Sequence, residues 1–159
     1  MIRPLAQEDV SRLAAVLSRL PLLVRYRRPA QQLADDLRTA LERGDGLLVE
    51  EREGEPRGLA WFLRAGTLGV GGYLKLLAVS PESTGEGIGA ALLAAFEGEV
   101  GKESRHAFLL VSDFNDGAQR FYERHGYARV GAVPGLVLPD VAEVVYWKRL
   151  PAPGRPRSG

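Results

Sequence analysis

The chain has 159 residues, 45% of them hydrophobic and 26% charged, the proportions of a globular protein long enough to bury a core. Lys+Arg 21 against Asp+Glu 20 leaves a formal charge of +1, too little for the domain-wide positive field that grips a nucleic-acid backbone, and Cys 0 removes disulfides, thiolate metal sites and any sulfur nucleophile. No apolar run reaches the length of a membrane span, and the opening MIRPLAQEDV lacks the basic start and apolar stretch of a secretion signal; a cytoplasmic protein with neither nucleic-acid nor membrane partner is expected.

After an opening strand at IRPL, the segment from Gln7 to Leu20 spaces Val10, Leu13, Ala14, Leu17 and Leu20 by three and four residues, with Glu8 and Asp9 in the first turn, and predicts an amphipathic helix stopped by Pro21. A second helix is expected from about Pro29 through Leu33, Leu37 and Leu41 to Gly44 as its C-terminal cap. Leu47 to Arg52, a turn at Glu53-Gly54-Glu55-Pro56, and Gly58 to Arg64 read as a hairpin that Gly72 to Val79 extends into a three-stranded meander. From Gly87 to about Lys102, Ile88, Ala91, Leu92, Ala95 and Phe96 share a helical face. Ala107 to Val111 then reads as a strand covered on both faces, which makes a parallel strand–helix–strand crossover. A short helix from Asp116 to His125, ended by Gly126, and strands at Tyr127 to Val133 and Ala142 to Leu150 complete a mixed α/β domain over 1–150, with 151–159 as a frayed tail.

The chemistry is concentrated in two segments. In Val79-Ser-Pro-Glu-Ser-Thr-Gly-Glu-Gly-Ile-Gly-Ala90 a strand leads through a loop into three alternating glycines that open a helix. Glycine lets a backbone approach a ligand closely, and the first N–H groups of a helix have no internal acceptor, so this turn suits a phosphate; a plain glycine-rich connection is the other reading. Gly85, Gly87 and Ala90 also satisfy the dinucleotide fingerprint, but Ser80 to Thr84 separate the first glycine from its strand, and only one crossover strand follows. A P-loop is excluded because no Gly-Lys-Ser/Thr ends the run. In the second segment, Asn115 precedes the short helix as an N-cap, Phe121 is expected in the core, and Tyr122 points to a different side.

LLAVSP followed by TGEGIGAALL resembles the acyl-coenzyme A segment of the GCN5-related N-acetyltransferases, and Asn115-Asp-Gly-Ala-Gln-Arg-Phe-Tyr-Glu-Arg-His-Gly-Tyr127 resembles their second signature; the likeness extends from IRPL to the terminal VVYWKRL. The resemblance implies one central, mixed, mostly antiparallel sheet of six to seven strands flanked by about four helices. It also implies acetyl-CoA as co-substrate, an amine as acceptor, and allows a homodimer. The cofactor diphosphate would lie on the N–H groups of Thr84, Gly85, Glu86, Gly87, Ile88, Gly89 and Ala90, and the pantetheine arm would add to an exposed edge at Leu77, Ala78 and Val79. Asn115 would bond the pantetheine amide. Tyr122 would be the general acid, its ordinary pKa of about 10 matching a departing thiolate. The family carries Arg or Gln where this chain has Thr84, which removes a side-chain contact to phosphate and leaves the backbone cradle.

Direct attack of an amine on the thioester in a ternary complex is the expected chemistry, with an N–H near Leu77 or Ala78 facing the oxyanion. Asp113, Glu143 and His125 are candidate bases, each with a structural alternative, and none is assigned. Arg124 has two readings, a phosphate contact or a solvated helix face. His106 and His125 form no metal-ligand spacing, and no metal is expected. In this family the acceptor is read by segments matching Pro21 to Arg28, where Arg25, Arg27 and Arg28 suit a carboxylate, and Pro134 to Asp140. A module that binds acyl-CoA as a sensor, without turnover, is the alternative function.

Overall fold

The computed structural model describes residues 1–152, so the expectation of a frayed tail falls, from 153 on, outside the described residues. In chain order it contains β1 (Ile2–Pro4), a 3-10 turn (Gln7–Asp9), α1 (Val10–Leu17), α2 (Pro21–Arg25), α3 (Ala30–Arg43), β2 (Gly46–Arg52), β3 (Glu55–Thr67) and β4 (Gly71–Val79). A second 3-10 turn (Pro81–Ser83), α4 (Ile88–Val100), β5 (His106–Ser112), α5 (Asp116–Arg124), β6 (Ala128–Pro134) and β7 (Ala142–Arg149) follow. The strands form one seven-stranded sheet in the order β1-β2-β3-β4-β5-β7-β6. β4 and β5 run parallel, as the crossover reading requires, whereas β1–β2, β2–β3, β5–β7 and β6–β7 are antiparallel. This is the mixed α/β architecture expected from the sequence.

Two helical expectations are corrected. The predicted helix over Gln7 to Leu20 begins as a 3-10 turn and ends at Leu17, short of Pro21, which opens a helix instead of stopping one. Proline has no N–H to lose in a first turn and a φ already set for a helix, so Pro21–Arg25 form α2, between the two helices that were expected. α3 ends as predicted, with Gly44 in the left-handed region at φ +78.

The chain divides into two compact units: Met1–Leu63 with Leu76–Phe96, and Arg64–Lys75 with the chain from Glu97 on. In the first, α1 and α3 bury Val10, Leu13, Leu17, Leu33 and Leu37 with Leu47, Val49, Leu59 and Trp61 of β2 and β3. The opposite sheet face carries Phe62, edge-on to Phe96 of α4 with ring centroids 5.2 Å apart. Gly58 lies beneath the start of α4, where a Cβ would stand 2.8 Å from Leu92 and 2.9 Å from Ile88; its bare backbone lets the helix lie close to the sheet. Ala91, expected on the packed face, is exposed, and Leu93 is buried instead.

In the second unit, β7 pairs along all of β5, from His106↔Arg149 to Ser112↔Glu143. β5 was expected to be covered on both faces. Ala107, Leu109 and Val111 are buried, while Phe108 and Leu110 are only half-buried, so one face is only partly covered. Tyr146 of β7, fully buried, donates to Glu123 of α5 at 2.9 Å and ties that helix to the sheet.

Candidate active site

Each unit carries one of the two segments that the sequence singles out. In the first, β4 delivers the chain to the glycine turn: Ala78 is buried, and Leu77 and Val79 are half-buried. β4 is not an edge strand, because β5 pairs with it over Gly72–Leu74. Leu77, Ala78 and Val79, where a free edge was expected, lie beyond that paired stretch. Ser80 N–H donates to the Arg57 carbonyl at 2.7 Å, while its hydroxyl, in a residue 1% exposed, has no partner among the described residues.

Beyond Ser80 the loop is held by its own bonds, and Thr84 turns its hydroxyl onto the Pro81 carbonyl at 3.1 Å. Gly85 (φ +86) and Gly87 (φ +78) lie in the left-handed region, with nothing within 4 Å of where a Cβ would stand. Conformation, not crowding, calls for glycine at both. Ala91 N–H donates to the Gly87 carbonyl at 3.1 Å, the first bond of α4, so the N–H groups of Ile88, Gly89 and Ala90 have no acceptor within the helix. Glu86 N–H differs, reaching back to the Ser83 carbonyl at 3.4 Å. Three converging donors at the positive end of a 13-residue helix can hold an anion.

The loop's two carboxylates are both paired. Glu82 Oε1 lies 2.6 Å from Arg19 Nη2, and Glu86 Oε2 lies 2.7 Å from Arg52 Nη1. A backbone N–H first, and then Arg19, hold the Glu82 carboxyl below its ordinary pKa. Arg52 also donates through Nε to Glu50 Oε1 at 3.1 Å, and Glu50 is buried. Sequence reasoning missed Arg19 and Arg52, since no spacing within the loop announces residues that reach it by tertiary folding.

In the second unit Asn115 is the N-cap of α5, its Oδ1 accepting from Ala118 N–H at 3.1 Å. The expected burial of the two aromatics is reversed: Phe121 is half-buried, and Tyr122 is only 8% exposed. Tyr122 packs edge-on to Phe121 and to Tyr127, with centroids at 5.2 and 5.7 Å. Burial pushes the Tyr122 phenol well above the ordinary value that the sequence suggested. It stays protonated, and among the described residues its hydroxyl has no hydrogen-bond partner.

The candidate bases differ. His125 Nδ1 lies 2.7 Å from the Phe121 carbonyl and closes the end of α5, and Asp113 Oδ2 accepts from Ala142 N–H at 3.0 Å. His125 takes the capping role that was its structural alternative, whereas Asp113, for which a salt bridge was the alternative, holds a backbone N–H instead. Glu143 is a buried carboxylate near enough to Tyr73 to raise the phenol's pKa further, after burial has raised it. Arg124 is exposed on α5. Arg28 of the predicted acceptor segment is held by Asp36 at 2.7 Å, and Arg27 has a left-handed backbone at φ +53.

The architecture is that of the acyl-CoA N-acyltransferases. An aminoglycoside 6'-N-acetyltransferase complexed with coenzyme A superposes with TM-score 0.79 at 17% identity, covering 100% of this chain and 99% of that one. Ard1 from Thermoplasma volcanium gives 0.78 at 20% identity, covering 95% and 97%. Ribosomal-protein-alanine N-acetyltransferase from Brucella melitensis gives 0.75 at 19%, covering 94% and 99%. No curated protein matches the chain. The model of the Acetyltransferase (GNAT) family matches residues 15–127, and the chain belongs to that family. It is an acetyltransferase, with acetyl-CoA as co-substrate.

Proposed function

We propose that the protein transfers the acetyl group of acetyl-CoA to a primary amine of a small molecule or peptide, by direct attack of the amine in a ternary complex. The observation that carries this reading is the glycine turn, whose left-handed Gly85 and Gly87 leave the N–H groups of Ile88, Gly89 and Ala90 without helical acceptors. The same turn fits a diphosphate: the donors are backbone, the helix dipole favours negative charge, and open space lies beside both glycines. Bound there, acetyl-CoA supplies an activated acyl thioester.

The chain's own residues take the remaining roles. The stretch Leu77–Val79 pairs its backbone with the pantetheine amides, and an N–H at Leu77 or Ala78 faces the developing oxyanion. Asn115 Oδ1 is occupied as a helix cap, which leaves its amide nitrogen as the group to bond pantetheine. Tyr122 donates its proton to the departing thiolate as the C–S bond breaks, and the proton that the amine nitrogen loses on forming the amide restores the phenol. Its raised pKa suits that task, because the packed surroundings that disfavour a phenolate disfavour a thiolate as well. With no cysteine in the chain, no thiol can carry the acetyl group between donor and acceptor.

The acceptor is read by Arg25 and Arg27 of the α2 segment and by the turn over Pro134 to Asp140, with a carboxylate-bearing amine as the preferred class. The test is release of free coenzyme A thiol across a panel of amines with and without a carboxylate. Release with at least one primary amine is expected. Coenzyme A binding with no release from any acceptor would replace transfer by acyl-CoA sensing.

A further inference from the structure

The turn that opens α4 carries the wrong charge for an anion. From Ser80 to Ala90 the chain has two carboxylates, Glu82 and Glu86, and neither lysine nor arginine. Glu86 lies between the two left-handed glycines, where a bound diphosphate would meet it at close range. Each carboxylate nevertheless holds a guanidinium brought from elsewhere in the same unit: Arg19, just past α1, and Arg52, at the end of β2. The Glu82 carboxyl also feels Arg57.

Stability does not account for this arrangement. The side chains of Arg19 and Glu82 are 55% and 50% exposed and those of Arg52 and Glu86 are 46% and 43% exposed, and ion pairs so open to water add little to stability. Geometry offers another account. Each glutamate engages one terminal guanidinium nitrogen, so of five N–H donors per arginine most remain for oxygens of a further anion. Arg52 is steadied twice, through Nε by the buried Glu50 and through Nη1 by Glu86, which lowers the entropy cost of presenting it.

We propose that Glu82 and Glu86 are tethers, and that Arg19 and Arg52 are the phosphate-binding cations of this chain, in place of the side chain missing at Thr84. The proposal rests on the acetyl-CoA cradle inferred above. It makes Glu82 and Glu86 positioning residues and assigns phosphate contact to two residues remote in sequence.

Calorimetric titration of the full chain with coenzyme A tests it, with circular-dichroism melting as the control for folding. Arg19→Ala and Arg52→Ala should each weaken binding about tenfold, as the loss of a charge-assisted contact does. Arg52→Ala/Glu86→Ala should stay as weak as Arg52→Ala. Unchanged affinity in both single variants would overturn the proposal, and so would recovery in the double variant, which would make the arginine a neutraliser of Glu86 and nothing more. Should Arg52→Ala fold poorly, Arg19→Ala with Arg19→Ala/Glu82→Ala decides by the same two outcomes. An unaltered protein that fails to bind coenzyme A sinks the cradle itself; one that binds while the variants match it sinks the arginine assignment alone.

Discussion

Tyr122 and Tyr127 meet edge to face, with ring centroids 5.7 Å apart and an interplanar angle of 71°, yet their hydroxyls differ. Tyr127 donates to Glu97 at 3.2 Å, whereas Tyr122 has no hydrogen-bond partner among the described residues. The Tyr122 hydroxyl is not among the fully buried, unpartnered side-chain atoms of the described residues, which are Glu50 Oε2 and Ser80 Oγ, so its ring is packed while its oxygen reaches solvent. Tyr122→Phe keeps the ring contacts and removes that hydroxyl. We expect kcat to fall about 100-fold, within the range for loss of a general acid, with coenzyme A affinity unchanged within error. Thiol-release kinetics and calorimetry on one preparation check both, and unaltered kcat would remove Tyr122 from the mechanism.

The glycine turn makes a prediction with an internal control. Gly87→Ala places a side chain at φ +78, which costs about 1–2 kcal/mol although the space beside it is open. If the backbone relaxes to avoid that strain, the donors at Ile88, Gly89 and Ala90 move, and coenzyme A should bind about tenfold more weakly. Gly98→Ala, inside α4 with nothing within 4 Å of the added carbon, should instead raise stability by about 0.5–1 kcal/mol and leave affinity alone. Urea unfolding and calorimetry separate the two.

The contrast between these glycines and the arginines shows where sequence stops being legible. Gly85 and Gly87 could be read directly, because a turn's backbone demand falls on its own residues. So could β2 to β5 and the cap at Asn115, whose signals are spacing and local hydrogen bonding. For Phe121 and Tyr122, helical period says that neighbours face different sides but not which side lies inward. That is settled by how the chain packs back on the helix just past its end: Phe121 against His125 at 4.4 Å, and Tyr122 against Tyr127. Arg19 lies 63 residues from Glu82, and Arg52 lies 34 from Glu86, so neither pair leaves a local pattern.

Glu97, buried at the end of α4, accepts from Lys148 Nζ at 2.9 and 3.1 Å and from Tyr127. Burial first, and then Glu97, push the Tyr127 phenol far above its usual pKa, so it remains a donor. Removing the cation takes two charge-assisted bonds from a buried carboxylate that Tyr127 still serves; removing the carboxylate leaves a lysine 26% exposed that can turn its ammonium to water. Lys148→Ala should therefore destabilise by about 2 kcal/mol and Glu97→Gln by about 1 kcal/mol, in urea unfolding at neutral pH. The reverse order would show that the carboxylate is better solvated than its burial implies.

Acid sensitivity should centre on the N-terminal strand. Asp9, buried beneath the start of α1, receives Arg3 Nη1 at 2.7 Å, Arg3 Nη2 at 3.0 Å and Ala6 N–H at 3.0 Å. Arg3 also bonds Glu51 of β2 through Nε at 2.8 Å, so this pairing ties the first strand to the second. The Arg3 hydrogen bonds hold the Asp9 carboxyl below its ordinary pKa against the opposing effect of burial. A carboxyl whose pKa is lower folded than unfolded stabilises the fold fully above the unfolded value, about 3.9, and loses that contribution as pH falls through the folded one. Asp9→Asn removes the charge at every pH. It should cost about 2 kcal/mol at neutral pH, and the gap from the unaltered protein should close progressively below about pH 4. Urea midpoints measured across that range check it: a gap that persisted unchanged into acid would mean that Asp9 acts through shape and not through its charge.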